Sequence, residues 1–256
     1  MNTVYNKDCL TGMKSMHAEY VDLVFTDPPY YQHRANDLLV HKNNGKPRNI
    51  VVNKFEFDDF ESEEAYLDFM NEVIQELYRV CKQGASGYMW CCDDYVSFLT
   101  RMIEAAGFKF RKVIHWHKTN PFPAINTRRM FANSMEICIH FSKGSPKTWN
   151  FKSVNEMHNF IEAPSCKGKE RTAHRTQKPL KVCIPFIEIS SNEGDLVFDP
   201  FMGSGTTAIA AMQLNRNFLG YEINKEYCEM IQTRFDEFME QNKDYKGEKP
   251  QIQYFD

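Results

Sequence analysis

Four consecutive residues, Asp27-Pro28-Pro29-Tyr30, close the apolar run Val21-Asp22-Leu23-Val24-Phe25-Thr26. Successive prolines fix φ twice, stop a strand and remove two N–H donors. What is left at the carboxyl end of that strand is the Asp27 carboxylate, backbone carbonyls and the Tyr30 ring. This set suits a planar heterocycle whose exocyclic –NH2 donates to Asp27 and to the Pro28 carbonyl while its face stacks on Tyr30. Adenine and cytosine both qualify. Holding both N–H groups in acceptor geometry localises the amino lone pair for attack on an electrophile. The alkylated amine is then strongly acidic, so a carboxylate near its ordinary pKa of ~3.9 can receive or relay its proton.

A second run carries different chemistry. Leu196-Val197-Phe198-Asp199-Pro200-Phe201-Met202-Gly203-Ser204-Gly205-Thr206-Thr207-Ala208 reads as a strand, a tight glycine turn and a helix start, with Gly203, Gly205 and Ala208 spaced as G-x-G-x-x-A. Such a turn lets backbone approach a ligand closely and aims helix N-terminal N–H groups at it. Glu222, 19 residues beyond Gly203, stands at the end of the next strand, where it can take two ribose hydroxyls. Together they describe a site for a nucleoside-bearing cofactor. Taken alone, the turn fits a nicotinamide cofactor as readily as any other.

The elements around these corners alternate. Apolar runs of strand length cover residues 3–6, 21–26, 87–91, 113–117, 136–141, 196–198 and 218–221. Apolar residues spaced by three and four mark helices over residues 63–81, 95–106, 180–190, 206–214 and 225–240. The alternation predicts an α/β fold with a doubly wound, mostly parallel sheet and helices on both faces. In such sheets ligands gather at strand carboxyl ends, at the topological switch point. Three stretches, residues 31–60, 119–134 and 142–178, break the pattern and read as loops or insertions.

Composition bounds the rest. The 256 residues, 42% hydrophobic and 25% charged, read as one domain spanning 1–256 and exclude disordered, collagen-like and coiled-coil chains. A net charge of −3 makes any nucleic-acid surface a local patch. Residues 1–8 hold no apolar segment and no run of ~18 apolar residues occurs, so a cytoplasmic location with no membrane contact is expected. Eight scattered cysteines, none in a zinc-like C-x-x-C pair, read as reduced and mostly buried thiols. His115 and His117 flank Trp116 and point the same way in a strand; without a third ligand they imply no metal site.

With both corners in view, the chain resembles the β-class amino-methyltransferases that act on DNA with S-adenosylmethionine. Asp27-Pro28-Pro29-Tyr30 matches their catalytic motif and Asp199-Pro200-Phe201-Met202-Gly203-Ser204-Gly205 their cofactor motif, in the β-class order. Asn6-Lys7-Asp8-Cys9 looks like the family's first strand end, and His174-Arg175-Thr176-Gln177-Lys178-Pro179 like its Thr-Gln-Lys-Pro motif, with Arg175 where proline is common. The resemblance implies a Rossmann-like methyltransferase domain. Catalysis would rest on Asp27, Pro28, Pro29 and Tyr30. Asp8 and Cys9 would hold the cofactor adenine, Glu222 its ribose, and Phe201, Gly203, Ser204, Gly205 and Thr206 with Lys178 the methionine end, Asp27 and Asp199 being further cofactor-binding residues. An acid rather than serine at position 27 favours adenine N6 as the target in this family. Cytosine N4 is the alternative within the class, and a nicotinamide-dependent oxidoreductase the alternative outside it.

A paired base must leave the duplex before its amine is reachable, which costs a few kcal/mol. Stacking on Tyr30 returns ~1–3 kcal/mol, leaving the rest to contacts with double-stranded DNA made by the loops. Within residues 31–54, Arg34, Lys42, Lys46, Arg48 and Lys54 face Asp37 alone, a local balance of +4. That is the pattern of a flexible segment that orders on a polyanion. Asn120, Arg128 and Arg129 are expected at the base pocket or on phosphate. Residues 142–178, with Lys147, Trp149, Lys152, Lys167, Lys169 and Arg171, form the candidate target-recognition region. Its shortness implies a short target or help from a second subunit, as in a homodimer.

Overall fold

The computed structural model describes residues 2–31, 40–43, 46–49, 60–121, 131–174 and 176–255. Among the described residues its main sheet has nine strands, in the order β11-β1-β10-β9-β2-β5-β7-β6-β8. They are β1 (Asn2–Asn6), β2 (Val21–Thr26), β5 (Cys81–Cys91), β6 (Lys109–Lys118), β7 (Met135–Ser142), β8 (Phe160–Ala163), β9 (Leu196–Asp199), β10 (Asn217–Glu222) and β11 (Gln251–Tyr254). Only β7 runs against the rest; it pairs antiparallel with both β5 and β6, and all other pairings are parallel. The doubly wound, mostly parallel sheet is therefore present.

Among the described residues six α-helices cover it: α1 (Cys9–Lys14), α2 (Glu63–Val80), α3 (Val96–Ala105), α4 (Leu180–Ser190), α5 (Thr206–Gln213) and α6 (Lys225–Gln241). The buried side chains fall into two groups. One joins α1, α2 and α3 to one sheet face, through Met13, Met70, Leu77 and Leu99. The other joins α4, α5 and α6 to the opposite face, through Ile187, Ala210, Ile231 and Phe235. Helix α2 shows how sequence sets this. Ser62 caps it by accepting from the Ala65 amide at 3.1 Å, Glu63 and Glu64 meet the positive end of its dipole, and Tyr66, Met70, Val73, Ile74, Leu77 and Val80 form one buried stripe. Truncating a fully buried member such as Leu77 to alanine would cost ~2–5 kcal/mol.

Strands β2 and β9 lie side by side, with Leu23 opposite Val197 and Val24 opposite Phe198. From β2 the chain crosses by α2 to β5; from β9 it crosses by α5 to β10, in the other direction and over the other face. This is the topological switch point of the sheet. Asp22 reinforces it by accepting from Lys82 Nζ on β5 at 2.8 Å and from the Leu196 amide on β9 at 3.0 Å.

Several elements escape the sequence pattern. β5 begins at Cys81, directly where α2 ends, because Gly84 at φ +86° and a register shift opposite Val21–Leu23 let the polar start of the strand pair. β8 and β11 are edge strands of four residues, too short and mixed for a period-2 signal. Residues 31–60, expected as a flexible loop, contain an antiparallel hairpin, β3 (Val40–Asn43) and β4 (Lys46–Asn49). The intervening sequence is Asn44-Gly45, a pair favoured in two-residue hairpins. All eight cysteines are free and all but Cys92 are buried. Among the described residues no helix is long and apolar enough to cross a membrane.

Candidate active site

Because β2 and β9 are parallel neighbours, their carboxyl ends open onto the same edge of the sheet, and the two corners line one cleft of about 880 Å³. That volume lies in the range of ordinary ligand pockets. Asp27, Pro28, Pro29 and Tyr30 form one end; Phe201, Gly203, Ser204 and Thr206, with Asp8, Cys9 and Glu222, form the other.

The glycine turn is held by side chains on every side. Asp199, buried at the end of β9, accepts from the Phe201 amide at 3.0 Å and from Thr207 Oγ1 at 2.6 Å. Burial lifts its pKa to about 6, against the pull of those two bonds. Gly203 (φ +53°) and Gly205 (φ +76°) take left-handed conformations that cost other residues ~1–2 kcal/mol. A β-carbon on Gly203 would also stand 3.2 Å from His174 Nε2. The Gly203 amide donates to Glu222 Oε2 at 2.8 Å, and the Asn224 amide to Oε1 at 2.8 Å. Burial raises the Glu222 carboxyl to about 7 in spite of these amides. Arg234 on α6 donates to the Ser204 carbonyl at 2.5 Å and to Thr206 Oγ1 at 3.2 Å, closing the back of the turn.

At the first strand end, Asp8 caps α1, accepting from the Thr11 amide at 2.8 Å, and also faces the cleft beside Cys9. The two carboxylates Asp8 and Glu222 thus line the same cleft as Asp27, with the Gly203–Gly205 turn beside Glu222. This acceptor set, with Phe201 packed edge-on to Phe69 at 6.0 Å, fits the hydroxyls and amino group of an adenosine-bearing cofactor.

The Asp27 corner departs from the sequence expectation in one respect. Tyr30 OH donates to Asp27 Oδ1 at 2.5 Å, and Lys178, which the resemblance assigns to the methionine end of the cofactor, donates through Nζ to Asp27 Oδ2. Lys178 Nζ also lies 3.1 Å from Tyr30 OH and 3.1 Å from Glu136 Oε2. The corner is therefore not acceptor-only: a buried cation, 151 positions from Asp27, already occupies it. Burial, with Glu136 nearby, raises the Asp27 carboxyl against the lowering pull of Lys178. Asp27 and Glu136 together keep Lys178 protonated in spite of its burial.

Sequence reasoning missed Glu136, Lys118 and Arg234. The available signal for Glu136 was a lone charge inside the otherwise apolar strand β7. Of the expected DNA contacts, Arg34, Lys54, Arg128 and Arg129 lie outside the described residues, as does Arg175. Lys42, Lys46 and Arg48 sit on the β3–β4 hairpin, and Lys169 lies in a short 3-10 turn, Gly168–Glu170. Asn120 is turned inward: its Oδ1 accepts from the Ser165 amide at 2.7 Å. Trp149 stacks on His140 at 5.5 Å, and Lys152 pairs with Glu188 at 2.6 Å, so these two are tied to the domain. Arg171 is exposed. His117 pairs with Glu162 at 3.0 Å and stacks on Phe160.

Known proteins resemble this chain in sequence and in fold. The N6_N4_Mtase family model, described as DNA methylase, matches residues 21–233. The type II methyltransferase M2.MboI of Moraxella bovis is 31% identical over 248 residues, covering 91% of this chain and 87% of that protein. M.HinfI of Haemophilus influenzae is 30% identical over 254 residues, covering 93% of this chain and 69% of that protein. Among solved structures, the M1.HpyAVI–SAM complex superposes with a TM-score of 0.71 at 26% identity, covering 92% of this chain and all of that one. The PvuII DNA methyltransferase, cytosine-N4-specific, shares the fold with a TM-score of 0.73 at 20% identity over 99% of this chain and 95% of that one.

Proposed function

The chain belongs to the DNA methylase family that the N6_N4_Mtase model describes, and from that premise we propose that it methylates N6 of an adenine turned out of double-stranded DNA, with S-adenosylmethionine as donor. As a DNA amino-methyltransferase it leaves no room for the nicotinamide-dependent alternative. The observation that carries the reading is the shared cleft: an acceptor corner for an exocyclic amine and a nucleoside-sized turn at adjoining strand ends.

In this reading Asp8 and Cys9 face the cofactor adenine, Glu222 takes the ribose hydroxyls, and the turn from Phe201 to Thr206 supports the methionine end. When bound, S-adenosylmethionine supplies a methyl group activated by a sulfonium. The chain's own residues do the rest. Asp27 and the Pro28 carbonyl accept from the target amino group and orient its lone pair, while the Tyr30 ring stacks on the base. After transfer the nitrogen is cationic and acidic, and Asp27, whose carboxyl burial raises above its ordinary value, is placed to receive its proton. The hairpin side of residues 31–60 and the segment 142–178 are read as the DNA-facing elements, the latter choosing the target. By analogy with type II relatives, the protein would protect DNA against a partner restriction enzyme.

The test is incubation with unmethylated DNA and labelled S-adenosylmethionine, then digestion to nucleosides. N6-methyladenine supports the reading. N4-methylcytosine would move the assignment to the other base that the corner accommodates, and no labelled nucleoside would refute it.

A further inference from the structure

The cation at the Asp27 corner has a second place to stand. The Lys178 side chain is 6% exposed, and a lysine has three donors. Two of them bond Asp27 Oδ2 and Tyr30 OH, and Glu136 Oε2 forms an ion pair with the same nitrogen at 3.1 Å. Glu136 in turn accepts from Lys118 Nζ, at the end of β6, through its other oxygen at 2.7 Å. The rings of Trp90 and Tyr30 lie 5.2 and 5.5 Å from the Lys178 nitrogen. Charges therefore alternate along a line, Lys118, Glu136, Lys178, Asp27, that crosses from β6 over β7 into the cleft.

We propose that Lys178 is a displaceable placeholder for the target amino group: it caps Asp27 until the base arrives, then withdraws onto Glu136, which Lys118 anchors. This rests on the reading of the corner as the amine site. An arriving amino group needs the Asp27 oxygen that Lys178 holds, so the two compete. A buried ammonium gives up one carboxylate only if another already holds it, since an unpaired charge in such surroundings is strongly disfavoured. Glu136 is that second carboxylate. The exchange replaces one N–H···O contact at Asp27 by another. No covalent bond changes, Lys178 keeps its proton, and Asp27 is left ionised to accept the proton released after transfer. Glu136 is thus a positioning residue acting through Lys178.

The experiment uses the full chain, with a duplex bearing the target mapped by sequencing DNA that the wild type has methylated, and S-adenosylhomocysteine as the bound cofactor. Dissociation constants for the duplex are measured for wild type, Glu136→Gln, Lys178→Met and the double variant. Glu136→Gln should weaken duplex binding about tenfold, with cofactor affinity changed by less than about twofold. In the Lys178→Met background the same substitution should have almost no further effect, because the group it acts through is gone. Glu136→Asp, which keeps the charge, should recover most of the loss. If Glu136→Gln does not fold, Lys118→Gln, which loosens Glu136 without removing it, should weaken duplex binding in the same direction and be silent with Lys178→Met. Unchanged duplex binding in the single variants, or a Glu136 effect of equal size with and without Lys178, would overturn the placeholder and leave a structural brace. A wild type that methylates no DNA would instead bring down the functional reading, and this inference with it.

Discussion

Raising the pH from 6 to 8 should tighten binding of S-adenosylhomocysteine about tenfold in the wild-type chain and leave a Glu222→Gln variant without that response. Glu222 is 9% exposed, and its carboxyl is lifted to about 7 by burial, with the Asn224, Gly203 and Ile223 amides pulling the other way and Asp199 pushing up. Only the ionised carboxylate can accept from two ribose hydroxyls at once. With a pKa of about 7, roughly a tenth of the molecules are ionised at pH 6 and nine-tenths at pH 8, a tenfold change worth ~1.4 kcal/mol. The same shift has a consequence for stability. The folded pKa lies above the unfolded value near 4.5, so the fold favours the protonated acid. That contribution is complete below about pH 4.5 and is lost as the pH rises through 7, up to ~3 kcal/mol. The cofactor-free protein should therefore melt lower at pH 8 than at pH 6, less so in the glutamine variant. Isothermal titration calorimetry across this range reads the binding directly, and titration of the ligand's own groups is common to both proteins. Equal slopes in wild type and variant, or a flat wild-type profile, would refute the role given to Glu222.

The other expectations divide the cleft into its parts. Asp27→Asn should lower turnover by ~10²–10⁴ while S-adenosylhomocysteine binds within a few-fold of wild type by calorimetry; near-normal turnover would remove Asp27 from the chemistry. Asp199→Ala breaks the bonds to the Phe201 amide and Thr207 Oγ1, so a denaturant titration should show a loss of ~1–3 kcal/mol together with weaker cofactor binding. Affinity for a DNA duplex should fall steeply with salt, because phosphate neutralisation by the loop cations drives much of it; an affinity flat from low to physiological salt would contradict a DNA-facing basic segment.

What the sequence displays well is whatever rests on hard local constraint. Pro28-Pro29 and the Gly203/Gly205 pair announce their backbone by sterics alone, and both corners stand where those residues put them. The alternation of apolar runs and helical stripes carries enough information for a parallel sheet, and parallel sheets place their carboxyl ends together. Long-range pairing has no such signature. Nothing periodic connects Lys178 to Asp27 or Glu136 to Lys118; they meet because β7 returns antiparallel between β5 and β6 and carries Glu136 to the cleft. The short edge strands β8 and β11 were hidden for a related reason. With four residues each and one neighbour, their pairing is fixed by the sheet already present rather than by their own composition. The polar start of β5 is similar: Lys82 and Gln83 carry no strand signal, yet the clamp from Asp22 to Lys82 holds that segment beside β2.

The most direct test of the whole account is a crystal structure of the chain with a methyl-donor analogue bound. The account places the nucleoside against Asp8 and Glu222, with its amino-acid tail along the turn from Phe201 to Thr206 and its reactive centre facing Asp27. A donor seated elsewhere, or turned so that its reactive centre points away from the Asp27–Tyr30 corner, would contradict it.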